Sequence, residues 1–251
     1  MRPADLILPQ WPAPPAVRAA FTLRTGGVSA PPFDTLNTAS HVGDHPGAVS
    51  ANRSRLRERL QMPSEPVWLE QVHGCRVADL DVEPGPLPMA DAAVTRTPDR
   101  VCVVQVADCL PVLLCAADGS AVGAAHAGWR GLAAGVLESS VRALRTPPAQ
   151  VLAWLGPAIG PARFEVGEDV HSAFTVGDPG ASSAFVKNTR GRWQCDLYAL
   201  ARRRLEAAGV GRVFGATWCT YCEPQRFFSY RRDGRCGRMA ALIWMSPGRS
   251  R

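Results

Sequence analysis

The sequence lacks two features that would direct it into or across a membrane. No apolar run in its 251 residues reaches the ~18 residues that a helix needs to span a bilayer. Near Met1, Asp5 and Pro9 interrupt the apolar segment that a signal peptide would require. We therefore expect a cytoplasmic protein with no membrane partner.

Regular cysteine spacing is also missing. The eight cysteines are spaced irregularly in a chain that we expect to have no leader, so we expect reduced thiols rather than a disulfide framework. The segment Cys219-Thr220-Tyr221-Cys222 lacks the second cysteine or histidine pair of a zinc site. It also lacks the helix start that lowers the thiol pKa in redox motifs. We interpret this segment as loop structure.

The chain has no basic stripe with interleaved aromatic residues, which argues against a nucleic-acid partner. Its 28 basic and 22 acidic residues give a formal net charge of +6. This modest excess favours a solvated basic face first and an anionic small-molecule substrate second.

A predicted β-hairpin is the most informative part of the sequence. Val101–Val106 is β-branched and apolar, which indicates a buried strand. Pro111 is expected to interrupt this run, and Val112–Cys115 resumes it. Ala117–Ser120 is a turn, after which the apolar segment Ala121–Ala125 returns.

This hairpin is expected to bring together a thiol and an imidazole. Cys109 and His126 are equidistant from the centre of the turn, so they should meet at the open end of the hairpin. A thiolate beside an imidazole suits Zn²⁺, and it equally suits a thiol nucleophile with its base. Both interpretations remain open at this point.

A helix is predicted directly after the hairpin, beginning near Gly128–Gly131. Its free N–H groups and dipole would form an anion site beside His126, and Arg130 adds a guanidinium suited to phosphate or carboxylate. The apolar residues that recur at roughly helical spacing are Leu132, Val136, Leu137, Val141 and Leu144.

The remaining segments alternate between predicted strands, loops and helices. Hairpins outnumber clear βαβ units, so we predict a single α+β domain over residues 1–251, with mixed β-sheets flanked by helices. Predicted strands are Val17–Leu23, Val67–Val72, Cys75–Leu80, Val151–Leu155, Val213–Trp218, Phe227–Arg232 and Leu242–Trp244. Predicted helices are Val49–Leu60, Glu168–Phe174 and one from Asp196 to Gly209. Predicted loops are Arg24–Ser29, Glu83–Pro88 and Asp178–Ser183.

Six motifs in a fixed order resemble one family, the YfiH/LACC-type proteins once labelled polyphenol oxidase or laccase-like. Each motif is weak alone, but their order is specific, and they span a core of about residues 20–245. They are Arg24-Thr25-Gly26-Gly27-Val28-Ser29, Gln71-Val72-His73-Gly74, Ala107-Asp108-Cys109-Leu110-Pro111, His126-Ala127-Gly128-Trp129-Arg130-Gly131, Gly156-Pro157-Ala158-Ile159-Gly160 and Phe228-Ser229-Tyr230-Arg231-Arg232.

The resemblance implies an α/β/β/α-type fold and one Zn²⁺ per chain, held by His73, Cys109 and His126, with Cu²⁺ able to replace it. It also implies a purine nucleoside phosphorylase that acts on adenosine, inosine and methylthioadenosine, with adenosine deaminase side activity. Its partners would be a purine nucleoside and phosphate. Bacterial members are also linked to the editing of peptidoglycan precursors.

These reactions need further groups around the metal ligands Cys109 and His126. Deamination requires an activated water and a carboxyl group, for which Asp108, Glu165 and Glu70 are candidates. Phosphorolysis requires a phosphate held near C1′ of the ribose. The candidate phosphate-binding residues are Arg24, Arg130 and Arg231.

Three other functions compete with this one. A thiol hydrolase or amidase that edits peptidoglycan precursors would use Cys109 as nucleophile and His126 as base. A multicopper oxidase requires more imidazoles than the five histidines of the chain supply. The third alternative is a non-catalytic binding protein. The combination of a thiolate, two imidazoles and an anion site argues against it.

Overall fold

The computed structural model describes residues 6–82 and 88–246. Of the predicted loop Glu83–Pro88, only Pro88 is among the described residues. Two β-sheets pack face to face and helices cover their outer faces, which confirms the predicted α+β class with mixed sheets. No helix in the described part of the chain is long and apolar enough to cross a membrane.

One layer is a four-stranded antiparallel sheet. Helix α1 (Pro46–Leu60) covers its outer face, where Leu56 packs among Val103 and Leu242. Pro46 lies in the first turn of α1, where its missing N–H removes no helical hydrogen bond. From edge to edge, the strands are β1 (Leu6–Ile7), β2 (Val17–Thr22), β13 (Met239–Met245) and β5 (Val101–Val106).

The second layer is a six-stranded mixed sheet, whose outer face is covered by helices α3 (Val136–Ala143) and α5 (Leu197–Ala207). From edge to edge, its strands are β12 (Arg212–Gly215), β8 (Val151–Leu155), β6 (Leu110–Ala116), β7 (Val122–Ala127), β4 (Ala92–Thr95) and β3 (Val77–Asp79). A smaller sheet of β10 (Phe185–Lys187), β11 (Trp193–Cys195) and β9 (Glu165–Val166) lies beside α4 (Glu168–Thr175).

The central strand β6 is buried on both faces and divides its side chains between two cores. Val112 and Leu114 face the helices, whereas Leu113 and Cys115 face the other sheet. This period of two is the alternation that a pleated strand imposes. Each fully buried Leu contributes about 1.5–3 kcal/mol, so the hairpin is held rigidly from both sides.

The predicted hairpin forms from β6 and β7, with a register that differs from the expected one. Pro111 pairs with His126, so Cys109 lies two residues further toward the open end than predicted. Pro111 does not interrupt the strand. Its carbonyl accepts from Gly156 N at 2.9 Å. Proline has no N–H to donate on that same side, but β8 has already ended there at Leu155, so no bond within the strand pair is lost.

The strand Val101–Val106 forms as predicted but pairs with β13 in the four-stranded sheet. The chain then crosses into the six-stranded sheet through Asp108, whose φ of +88° lies in the left-handed region. This crossing places Cys109 at the junction of the two sheets.

The predicted helix after the hairpin is split into two. Helix α2 (Trp129–Ala133) has only five residues, and α3 begins at Val136. Gly135 separates them with a φ of +94°, a conformation that glycine adopts without steric cost. The dipole of such a short helix is a weak basis for the anion site predicted beside His126.

Three other predictions need correction. Val67–Val72 is not a strand, because only Val67 and Glu70 make isolated bridges. Pro179 starts a 3₁₀-helix over Pro179–Ala184 where a flexible loop was expected. The predicted strand Phe227–Arg232 instead leads into the short helix α6 (Tyr230–Asp233), because Ser229 caps it by accepting from the N–H of Arg232.

Candidate metal centre and cavity

Three separate segments bring His73, Cys109 and His126 together. His73 lies in the turn before β3, Cys109 directly precedes β6, and His126 lies on β7. One nitrogen or sulfur atom from each lies within 4.8 Å of the others. Cys109 Sγ is 3.9 Å from His73 Nε2, and the two imidazole rings are T-shaped with centroids 4.8 Å apart.

Asp91 orients this cluster from behind, and the sequence-based prediction missed it. Its fully buried carboxylate lies 2.8 Å from His126 Nδ1, which leaves His126 Nε2 free for a ligand. The same carboxylate accepts from the backbone N–H groups of His73 at 2.9 Å and Gly74 at 2.6 Å. One buried charge therefore fixes two of the three residues. The available signal was a charged residue between Ala90 and Ala92, in an apolar segment.

The two glycines after His126 leave space for the cluster. A Cβ at Gly128 would lie 2.9 Å from Cys109 Sγ and 3.2 Å from His73 Cδ2. A Cβ at Gly131 would lie 2.7 Å from the carbonyl oxygen of Gly74, in the turn that carries His73. The absence of a side chain at these two glycines thus allows three chain segments to approach one another closely.

The thiol and imidazole shift each other's pKa. Burial opposes ionisation of Cys109, but the charge and hydrogen bond of His126, with a hydrogen bond to His73, lower its pKa to about 6. Burial also opposes protonation of His126, but Cys109 and Asp91 raise its pKa to about 9. In the metal-free protein these groups therefore form a thiolate–imidazolium pair near neutral pH.

The cluster fits a tetrahedral zinc ion. Bonds of about 2.0–2.3 Å to nitrogen and sulfur would place ligand atoms about 3.4–3.6 Å apart, so the three atoms, which lie within 4.8 Å of one another, would move slightly closer around the ion. Zinc sites commonly fix a histidine ligand through a carboxylate on its other ring nitrogen, and the buried Asp91 has this position at His126 Nδ1. This is the one group of three metal-binding side chains found in residues 6–82 and 88–246.

A cavity of about 390 Å³ opens beside the cluster, within the range of small-molecule sites. No acidic side chain among the described residues lines it. Besides the three clustered residues, its polar lining is His41, Gln71, Gln105, Tyr230 and Arg238.

The three arginines predicted to bind phosphate lie outside the lining of this cavity. Arg24 pairs with Asp34 at 3.2 Å. The guanidinium of Arg130 lies 4.4 Å from the ring centroid of Trp129, and Arg231 Nη1 donates to the Glu165 carbonyl at 2.8 Å. Their role in phosphate binding stays a prediction.

The predicted carboxyl groups also lie outside the cavity lining. Asp108 accepts from Thr220 Oγ1 at 2.6 Å, Ser229 Oγ at 3.0 Å and the Arg231 N–H at 2.7 Å. These bonds hold the crossing between the two sheets. Glu165 pairs with Arg190. Glu70 is exposed beside Met89.

The cysteine pair of Cys219 and Cys222 is a separate structure. Both thiols are free, as expected for reduced cysteines, and Cys219 Sγ accepts from Gly160 N at 3.2 Å. Burial is the main cause that raises the pKa of Cys219. Neither cysteine belongs to the metal-binding group found among the described residues.

Known proteins share this architecture. The family described as multi-copper polyphenol oxidoreductase laccase matches residues 18–246. The Escherichia coli protein named purine nucleoside phosphorylase YfiH is 53% identical over 96% of this chain and 99% of its own. A Pseudomonas aeruginosa purine nucleoside phosphorylase is 51% identical over 95% of this chain and 98% of its own. The crystal structure of a Neisseria meningitidis protein has a TM-score of 0.94 and 47% identity, with 97% of this chain and 100% of that chain covered.

Proposed function

This chain belongs to the family described as multi-copper polyphenol oxidoreductase laccase, and we propose that it is a zinc-dependent purine nucleoside phosphorylase. The observation that carries the proposal is the Asp91-oriented cluster of His73, Cys109 and His126, at the wall of a cavity that no acidic side chain of the described residues lines. Relatives 45–53% identical to the chain bear the phosphorylase name. The resemblance inferred from the six motifs is confirmed by the family match.

In the proposed reaction a phosphate oxygen bonds to C1′ of the ribose while the bond from C1′ to the purine nitrogen breaks. The electron pair leaves with the base, which takes up the proton that monohydrogen phosphate loses as its oxygen bonds to C1′. His73, Cys109 and His126 would hold the zinc, and Asp91 would keep His126 in position. The bound metal would supply Lewis acidity at its open position. Because no carboxylate in residues 6–82 and 88–246 lines the cavity, phosphate would enter it without repulsion from acidic side chains there.

Adenosine deaminase activity, which the family resemblance also implies, is a weaker part of the proposal. Deamination requires a group that transfers protons to and from C6 and its amine. Of the titratable residues outside the metal cluster, His41, Tyr230 and Arg238 line the cavity, and Asp108 does not. We therefore expect deamination of adenosine to be slower than its phosphorolysis.

The test is to incubate inosine or adenosine with zinc-loaded protein, with and without phosphate, and to identify the products. We expect free base and ribose 1-phosphate only when phosphate is present. Base release that is independent of phosphate would indicate hydrolysis. The absence of base release from any purine nucleoside would refute the proposal.

A second candidate function is a thiol hydrolase, because the same residues have the arrangement of a Cys–His–Asp triad. His126 lies between the Cys109 thiol and the Asp91 carboxylate, and the Cys109 pKa is lowered to about 6. Metal content separates the two functions, since a bound metal occupies the thiolate. A protein that is active after complete removal of metal would favour the hydrolase.

A multicopper oxidase, despite the family's description, is not favoured. His45 caps helix α1, and His171 stacks on Trp193 with ring centroids 4.1 Å apart. His41 lines the cavity outside the metal-binding group. The described residues therefore offer one centre of two histidines and a cysteine, whereas a trinuclear copper cluster needs more imidazoles.

A further inference from the structure

Arg238 lines the cavity beside the metal cluster and is held in place by its own loop. Its Nη1 donates to the carbonyls of Cys236 at 2.9 Å and Gly237 at 3.0 Å. Its backbone N–H donates to Asn37 Oδ1 at 2.9 Å, and its carbonyl accepts from Thr38 Oγ1 at 3.0 Å. The guanidinium is thus oriented before any ligand arrives.

The charge of Arg238 is not paired with an acidic side chain in the described part of the protein. No carboxylate in residues 6–82 and 88–246 forms an ion pair with it, and none lines the cavity. By contrast, Arg24 pairs with Asp34, Arg96 pairs with Asp79, and Arg204 pairs with Glu138. The guanidinium is half-buried, donates to neutral carbonyls and lies 5.8 Å from the ring centroid of Tyr230, so an anion in the cavity would supply the counter-charge that these neutral partners do not.

The surroundings reinforce this positive charge. Burial lowers the pKa of His41, and the positive charges of Arg238 and Arg53 lower it further. Arg53 stacks on Trp68 with its guanidinium 3.8 Å from the ring centroid, and its Nε donates to the Thr38 carbonyl at 2.9 Å. Neutral His41 offers a hydrogen-bond donor beside the charge, so the cavity wall suits an anion with several acceptor oxygens.

We propose that Arg238, assisted by His41, binds the phosphate dianion that the cavity receives. This assignment rests on the proposed phosphorylase function for the identity of the anion. A guanidinium matches two phosphate oxygens with parallel hydrogen bonds. Because Arg238 and Cys109 line the same cavity, phosphate held there would share the space with a nucleoside at the metal cluster.

The experiment compares Arg238→Ala and Arg238→Lys with wild-type protein in steady-state phosphorolysis of inosine. Loss of charge-assisted hydrogen bonds worth about 1.5–3 kcal/mol should raise KM for phosphate roughly 10- to 140-fold in the alanine variant. KM for inosine and the zinc content should stay near the wild-type values. The lysine variant keeps the positive charge but lacks the paired N–H donors of the guanidinium. Its KM for phosphate should therefore lie between those of the wild type and the alanine variant.

Two further variants complete the test. Arg235→Ala is the matched control, because Arg235 is exposed in the same loop, outside the cavity lining, and donates to the Gly43 carbonyl. It should leave KM for phosphate unchanged. Arg130→Ala tests the arginine predicted from the sequence. An increase in KM for phosphate in the Arg130 variant alone would overturn the assignment to Arg238.

Direct binding separates failure of the site from failure of the proposed function. Calorimetric titration of inorganic phosphate into zinc-loaded protein, without nucleoside, should give binding that Arg238→Ala weakens. If wild-type protein binds phosphate through Arg238 but releases no base, the phosphorylase function fails and the anion site stands. If base release requires phosphate but Arg238→Lys and His41→Gln both keep the wild-type KM for phosphate, the site is refuted. Those two conservative variants decide the question even if Arg238→Ala folds poorly.

Discussion

Two cysteine-containing regions of this molecule lie beside cavities but differ in chemistry. Cys109 lies among the imidazoles of His73 and His126, and its pKa is lowered to about 6. Cys219 lies beside Cys222 and a backbone N–H, and its pKa is raised. The cavity beside this second pair is the larger, at about 640 Å³ against 390 Å³. Cavity size therefore does not identify the reactive site.

The difference lies in the neighbouring groups and their support. Around Cys109, nitrogen donors converge and the buried Asp91 fixes two of them. Around Cys219, the sulfur accepts from the Gly160 N–H and interacts with the Cys222 thiol, and the backbone N–H donates to the Glu223 carboxylate. The second region nevertheless supports the first, because Thr220 Oγ1 donates to Asp108, the residue before Cys109. The cysteine pair thus flanks a residue that braces the candidate metal centre.

The largest expected effect is loss of the metal. Cys109→Ala removes the thiolate ligand from a site of three, so protein purified without added metal should contain little zinc and show little phosphorolysis. Atomic emission measurement of metal per chain gives the result. A full equivalent of zinc in this variant would show that the cluster is not the metal site.

The matched control is the double variant Cys219→Ser/Cys222→Ser. It removes two thiols from the other region, and it should keep one zinc per chain, because neither cysteine belongs to the metal-binding group. Loss of zinc from a folded double variant would mean that the two regions are not chemically separate.

The second prediction concerns the space around Cys109. Gly128→Ala places a Cβ 2.9 Å from Cys109 Sγ. Overpacking of this kind costs about 1–3 kcal/mol, and relief of the clash by displacement of the thiolate would lower zinc affinity by up to roughly 5- to 150-fold. Competition with a chromogenic chelator measures this. Gly177→Ala is the control, since its Cβ would meet nothing within 4 Å, and equal affinity in the two variants would contradict the crowding argument.

The third prediction concerns the support of the histidines. Asp91→Asn removes the charge behind His126 and leaves an amide facing N–H donors, so zinc affinity should fall about 10- to 100-fold. The same chelator competition applies. Asp196→Asn, at the N-cap of α5, should change zinc affinity little. An unchanged affinity in the Asp91 variant would show that the carboxylate is not needed for orientation.

Part of this comparison could be predicted from the sequence. The turn at Ala117–Ser120 and the apolar segments on either side of it predicted the hairpin that brings Cys109 close to His126. The position of His73 came only from the family resemblance, because its segment reaches the cluster through non-local contacts. Local patterns carry little information about such contacts.

Other features of the site depend on contacts between residues far apart in the sequence, which local sequence patterns do not predict. Asp91 reaches His126 because Ala92 pairs with Ala125, in strands far apart in the sequence. Arg238 reaches the cavity from the far end of the chain. The split of the predicted helix follows from the left-handed conformation of Gly135, which a helical period of apolar residues does not reveal.

The smallest predicted effect is a difference in thiol reactivity at acidic pH. A lowered pKa means that the thiolate persists as the pH falls, so at pH 6 about half of Cys109 should be thiolate in metal-free protein. An ordinary thiol with a pKa of ~8.5 would be about 0.3% ionised. The lower basicity of Cys109 reduces its intrinsic nucleophilicity by roughly 10- to 20-fold. A net advantage of about 10-fold remains.

Alkylation with iodoacetamide at pH 6, followed by peptide mass spectrometry, measures this advantage. In metal-free protein, Cys109 should react about 10 times faster than a free thiol of ordinary pKa, and Cys219 should react more slowly than that thiol because its pKa is raised. Zinc should protect Cys109 and leave the Cys219 rate unchanged, since only one of the two thiols belongs to the metal-binding group. Equal rates at the two cysteines, or protection of both by zinc, would remove the chemical distinction between the two regions.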